Sequence, residues 1–271
     1  MIRDITIGQY FPGNSVIHKL DPRLKIVLVF AYIVTIFLCK NFYSLALMLV
    51  TLIAVELLSR ISLKLIYKSV KPIFIIVLIT SLLQLIYNKN GDVLFEYWKI
   101  KITTGGVNMA IFTTLRIVIL VVASSMLTYT TSPTMLTDAI ERLFSPLKVF
   151  KVNVHSIAMM MTIALRFIPT LIDEVDKIMS AQKSRGADLE TGGIVQRGKA
   201  LVPIFIPLFI NSFRRAYELA FAMECRCYRG GEGRTRLKVM KMQLRDYISL
   251  VIVALVIAGV FVLNHFFKAV L

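Results

Sequence analysis

Tyr247-Ile248-Ser249-Leu250-Val251-Ile252-Val253-Ala254-Leu255-Val256-Ile257-Ala258-Gly259-Val260-Phe261-Val262-Leu263 continues to Phe267 without one Asp, Glu, Lys or Arg. A helix needs roughly 20 such residues to cross about 30 Å of hydrocarbon. Within a single segment only a helix satisfies every backbone N–H and C=O, so this run reads as a membrane span. Working back from it, similar runs stand at about 24–39, 42–59, 72–87 and 107–130. About five transmembrane helices are expected.

Composition agrees. Of 271 residues, 57% are hydrophobic and 18% charged, against about a quarter charged in an ordinary soluble domain. The mean hydropathy is +0.73. The fold class expected is an all-α integral membrane protein. A net charge of +16 would point to nucleic acid in a soluble protein. In a membrane protein Lys and Arg gather in cytoplasmic loops, and no basic stripe interleaved with aromatics argues for a nucleic-acid partner. The partner these features imply is the lipid bilayer.

Cys39 lies in an apolar run, and Cys225 and Cys227 form a lone C-x-C. A structural zinc site needs four ligands, and His18, His155 and His265 are scattered. A reduced, metal-free thiol pair facing the cytoplasm is expected. The first twenty residues carry Arg3, Asp4, Pro12 and Gly13 and lack the apolar core and cleavage site of a signal peptide, so the first span is expected to target the chain itself.

Between the spans the pattern changes. Arg60, Lys64, Lys68 and Lys71 recur every three or four residues among Ile61, Leu65 and Ile66, which predicts a short helix on the membrane surface with snorkelling lysines. Residues 88–106, with Trp98 and the pair Gly105-Gly106, read as an extracellular loop with room for a strand or hairpin. Between Thr131 and Arg245 stand 18 Lys/Arg against 10 Asp/Glu. That excess places this region and the N-terminus in the cytoplasm, leaving the C-terminus outside. The division expected is 1–130 as a four-span membrane domain, 131–245 as a cytoplasmic helical domain, and 246–271 as the last span.

Three helices are expected in the cytoplasmic domain. The first covers 134–150, started by Ser132-Pro133 and broken late by Pro146, with Leu136, Ile140, Leu143, Phe144 and Leu147 as its apolar stripe. The second covers 153–185, interrupted by Pro169, and the third 194–228, bent by Pro203 and Pro207. Both long helices begin apolar, finish charged and meet glycine at the end, Gly186 and then Gly230-Gly231, as suits a left-handed C-terminal cap. Each ends in an arginine tip: Ser184-Arg185-Gly186 and Cys225-Arg226-Cys227.

The familiar chemical motifs are missing. A phosphate-binding P-loop needs a Gly-rich turn followed by Lys and Ser/Thr. Gly230-Gly231-Glu232-Gly233-Arg234-Thr235 has no such lysine and follows a helix, so a flexible basic return loop is expected there. No HExxH, GxSxG or EF-hand pattern occurs. Charges inside the spans, which would mark an ion path, are few. They are Glu56 and Arg116, the latter binding a carboxylate or lining a polar seam with Thr113 and Thr114, or else lying against protein.

The two arginine tips resemble the paired signatures of the transmembrane T-component of energy-coupling factor (ECF) transporters. The run from Ala181 to Asp188 matches the first signature, and Cys225-Arg226-Cys227-Tyr228-Arg229-Gly230 the second. The stretches His18–Lys25, 131–146 and Arg166-Phe167-Ile168-Pro169-Thr170 are similar too, so the resemblance spans nearly the whole chain. Cys227 departs slightly, since other small residues are also usual there.

The resemblance implies a complex. Two cytoplasmic ABC-type ATPases carry ATP and Mg, the chain itself binds no cofactor, and a separate substrate-binding membrane protein, the S-component, captures a vitamin or metal ion. Region 131–245 becomes a coupling-helix domain in a prokaryotic cell membrane. Ser184, Arg185, Gly186, Cys225, Arg226 and Cys227 become the ATPase-coupling residues. The stripe Leu136, Ile140, Leu143 and Leu147, with Met159 and Met160, is the expected S-component contact, methionine adapting to differently shaped partners. Ordinary lipid-facing or core packing is the alternative for these residues. For the chain the alternatives are the permease of a conventional ABC importer, or a membrane scaffold or insertase outside transport.

Overall fold

The computed structural model describes residues 10–88, 92–97, 100–187, 193–230 and 240–267. Among them nine α-helices and one two-stranded hairpin occur. The described residues form two units, one within Ile7–Ala139 and Val239–Leu271 and the other within Ile140–Lys238.

The first unit is a helical bundle. Helix α1 (Pro22–Leu38) starts where the Asp21 carboxylate accepts from the Arg23 N–H and proline takes the first helical position, where its missing donor costs nothing. Asn41 caps α2 (Phe42–Ser59) in the same way through the Ser44 N–H. The left-handed Arg60 ends α2, and α3 (Leu63–Val70) follows as the short basic helix. A 3-10 turn over Lys71–Ile73 leads into α4 (Phe74–Tyr87). The loop beyond it holds the antiparallel strands β1 (Val93–Tyr97) and β2 (Ile100–Thr103). Helix α5 (Thr104–Thr130) returns through the bundle, and α9 (Leu244–Phe266) closes it with a capping box between Gln243 and Asp246.

Helix α5 starts earlier than the sequence implied, and Gly105-Gly106 lies inside it. Thr103 caps the helix by accepting from the Gly106 N–H at 3.1 Å while donating to Asn88 O at 2.8 Å. A Cβ on Gly106 would stand 3.1 Å from Asn88 O. The glycine therefore lets the end of α4 close onto the start of α5.

The core joins Ile36 and Cys39 of the α1 end, Leu45 and Met48 of α2, Phe112, Ile119 and Met126 of α5, and Val260 of α9. Polar ties hold both ends. At one end Lys25, 5% exposed, donates to His18 O (3.2 Å), Thr130 O (3.0 Å) and Thr131 Oγ1 (3.2 Å). Beside it the Asp21 N–H donates to the buried Asp246 carboxylate at 2.9 Å, and Arg23 reaches Met240 O at 3.2 Å. At the other end Asn41 donates to Leu263 O at 3.0 Å and Asn264 to Leu38 O at 2.9 Å. Arg116 donates to Cys39 O at 2.6 Å and lies 4.7 Å over the Phe112 ring. It sits against protein, where it caps α1 and covers an aromatic face.

Much of the apolar surface points outward. Phe30, Phe37, Leu57 and Ile75 are each at least 60% exposed. Leaving one such side chain in water forfeits about 1.5–3 kcal/mol, so a belt of them requires lipid. Five described helical segments are long and apolar enough to cross a membrane: α2, the α3-to-α4 stretch Leu63–Tyr87, α5, Val154–Ser184 and α9. Helix α1, at 17 residues, is slightly shorter but is packed in the same bundle. The chain is a multi-pass α-helical membrane protein.

Helix α6 (Pro133–Leu143) spans the boundary between the units. It ends earlier than the expected 150, because Ser145-Pro146 turns the chain into a 3-10 segment, Ser145–Phe150, where proline lacks the N–H a helix needs. The second unit then consists mainly of α7 (Val154–Ser184) and α8 (Ile194–Cys225). Both are unbroken despite Pro169, Pro203 and Pro207. At 1.5 Å per residue each is about 45–50 Å long.

Candidate functional site

Helices α7 and α8 run antiparallel. Gln182 Nε2 donates to Pro203 O at 3.3 Å, and eight residues back along α7 the Glu174 carboxylate accepts from Asn211 Nδ2 at 2.7 Å, eight residues forward along α8. The second Glu174 oxygen accepts from Arg215 at 3.0 Å, and Arg214 donates to Asn211 Oδ1 at 3.0 Å. One carboxylate thus clasps two side chains of the facing helix. Because the pair is antiparallel, the two C-terminal tips point opposite ways. Counted along the helices, Arg185 and Arg226 lie on the order of 40 Å apart.

The tips share one local design. At the end of α7 Arg185 is the C-cap, Gly186 has φ +83, its N–H bonds Lys183 O at 3.0 Å, and the Ala187 N–H bonds Gln182 O at 3.0 Å. At the end of α8 Arg226 is the C-cap, Cys227 has φ +55, its N–H bonds Glu224 O at 2.8 Å, and the Tyr228 N–H bonds Met223 O at 3.0 Å. Both are Schellman motifs, with the third signature residue in the left-handed position. Glycine adopts that backbone freely, whereas cysteine holds it against a steric penalty.

The central arginine of each signature is thereby set at a rigid helix end with its side chain outward. Arg185 and Arg226 are exposed, and neither guanidinium has a hydrogen bond or ion pair among the described residues. A permanently charged, forked donor held in that way suits a carboxylate or carbonyl groove on another molecule. Ser184 donates back to Ser180 O at 3.1 Å, one turn earlier on α7. Cys225 and Cys227 are exposed free thiols, and Cys39 is a buried one. Of the Gly-rich stretch after α8, everything past Gly230 lies outside the described residues.

The residues expected to meet a membrane partner are dispersed. Leu136 is half-buried on α6, before the unit boundary. Ile140 lines an apolar cavity of about 190 Å³ in the second unit with Phe144, Val154, Ile157, Ala158 and Met161. Leu143 and Met159 are half-buried, and Met160 is 61% exposed. Leu147 falls beyond α6 on the 3-10 segment, and its side chain lies outside the described residues. Across this segment His155 Nδ1 and Glu141 Oε1 stand 3.0 Å apart.

A larger surface escaped the sequence reading. Phe205, Phe209, Phe213, Tyr217 and Phe221 recur every fourth residue along α8, and all are exposed. Ring centroids of the first three stand 6.1 and 4.6 Å apart. The constant spacing of four was the available signal, since it places the rings on one ridge of a helix.

Together these features define a class: a multi-pass membrane protein carrying a paired-helix unit that presents two arginine tips and an aromatic ridge. The CbiQ family, described as cobalt transport protein, matches residues 13–237. Three relatives are each named energy-coupling factor transporter transmembrane protein EcfT. That of Clostridium kluyveri is 53% identical over 92% of this chain and 93% of its own, and that of Ruminiclostridium cellulolyticum 50% identical over 98% and 100%. That of Bacillus subtilis is 43% identical over 94% and 97%. The chain belongs to this family, the transmembrane components of energy-coupling factor transporters.

Proposed function

We propose that the chain couples two cytoplasmic ABC-type ATPases to a separate substrate-binding S-component, so that ATP hydrolysed by the partners drives uptake of a vitamin or metal ion. ATP and Mg belong to those partners, and this chain holds no cofactor. The observation that carries the reading is the pair of matched Schellman tips, each offering one exposed arginine, at opposite ends of an antiparallel helix pair. One tip serves each ATPase. The aromatic ridge of α8, with Met159, Met160 and the α6 stripe of Leu136, Ile140 and Leu143, faces the S-component. The membrane is the prokaryotic plasma membrane, with the N-terminus and the tips on the cytoplasmic side.

Co-purification from native membrane with Arg185→Glu, Arg226→Glu and the double variant tests this. Each single variant should loosen ATPase association, and the double should abolish ATP-driven uptake while the bundle stays folded. Undiminished uptake in the double variant would remove the tips from the mechanism.

A further inference from the structure

We propose that the outer face of α3 is a binding surface for the headgroups of anionic phospholipids. Lys64, Lys68 and Lys71 fall within about 60° of one another around the helix axis, and Arg60 stands at the approach to it. All four are exposed, and none has a hydrogen bond or ion pair from its side chain among the described residues. The opposite face is anchored: Leu65, Ile66 and Val70 pack against the bundle core. The Tyr129 hydroxyl donates to Leu65 O at 3.2 Å and also bonds Ser69 Oγ. The cations are therefore held outward by a fixed helix.

Their depth follows from their neighbours. Tyr129 lies in the last turn of α5, so α3 sits at an end of the bundle. Leu57 and Leu58 before it are 75% and 60% exposed, and Phe74 and Ile75 after it 61% and 66%. An unpaired row of ammonium groups bordering an apolar belt stands where lipid phosphates lie, and charge complementarity selects lipids that are net anionic. This surface is independent of the arginine tips.

The test is native mass spectrometry of the full chain in neutral detergent with equimolar phosphatidylglycerol and phosphatidylcholine. The wild type should retain phosphatidylglycerol preferentially. Lys64→Gln/Lys68→Gln/Lys71→Gln should lower that preference by about fivefold for each lysine removed, while the matching triple arginine variant keeps it. Lysine, glutamine and arginine have similar helix propensities, and circular dichroism checks that the helices persist. An unchanged preference in the glutamine variant would overturn the proposal. So would its loss in the arginine variant, equal retention of both lipids by the wild type, or displacement of the lipid by soluble glycerol phosphate at equal concentration.

Discussion

Replacing Gly186 with alanine isolates the backbone of the α7 tip from everything around it. Gly186 has φ +83, and a Cβ built there meets nothing within 4 Å among the described residues. Steric crowding therefore contributes nothing, and the whole effect is conformational. Holding a non-glycine residue in the left-handed region costs about 1–2 kcal/mol. Alanine also restricts the unfolded chain, which returns about 0.4–1 kcal/mol. The net expectation is a tip weakened by about 1 kcal/mol, a factor of about five in its local opening equilibrium.

The same reasoning reverses at the other tip. Cys227 already stands in that conformation at φ +55, so Cys227→Gly should firm the α8 end by a similar amount. Hydrogen exchange reads both directly, because the Ala187 amide bonds Gln182 O and the Tyr228 amide bonds Met223 O. Exchange at Ala187 should speed up about fivefold in Gly186→Ala, and exchange at Tyr228 should slow about fivefold in Cys227→Gly. If both substitutions shift exchange in the same direction, the Schellman assignment of the signatures is wrong.

Three more outcomes follow from the same contacts. Lys25→Met strands the Thr130 and Thr131 oxygens and leaves the buried Asp246 carboxylate without its nearby cation, so unfolding in detergent should come about 3 kcal/mol easier; a loss under 0.5 kcal/mol would show the tie to be idle. Glu174→Ala should weaken the α7–α8 pairing by about 1–2 kcal/mol, and a double-mutant cycle with Arg215→Ala should assign under half of that to the ion pair, whose arginine side chain is 36% exposed. An impermeant maleimide should label Cys225 and Cys227 in inside-out vesicles only, leaving the buried Cys39 unmodified; labelling in right-side-out vesicles would invert the proposed orientation.

The bundle was legible because lipid imposes one rule. Each span must be a continuous apolar helix, and the expected 42–59 coincides with Phe42–Ser59. What escaped depended on backbone geometry or on partners distant in sequence. Gly105-Gly106 reads as loop by composition, yet Thr103 caps α5 ahead of the pair and places both glycines in its first turn. Arg116 reads equally as an ion-path residue until its distance to Cys39 O is known. The tips were visible as Ser184-Arg185-Gly186 and Cys225-Arg226-Cys227, but their opposite directions follow only from Gln182 meeting Pro203 and Glu174 meeting Asn211. Pairing register leaves no signature in a single sequence.

That opposition gives the proposed coupling its geometry. An antiparallel helix pair has an approximate two-fold axis across its middle, so two similar partners related by such an axis meet the same local structure from either side. The matching caps at Arg185 and Arg226 satisfy that condition at the level of individual hydrogen bonds. The symmetry is broken at the third signature position, where Gly186 is relaxed and Cys227 is held against its preference. Two ATPases docked on this chain would therefore meet handles of equal shape and unequal stiffness. A distinction between the two partners then needs no difference in the arginines themselves.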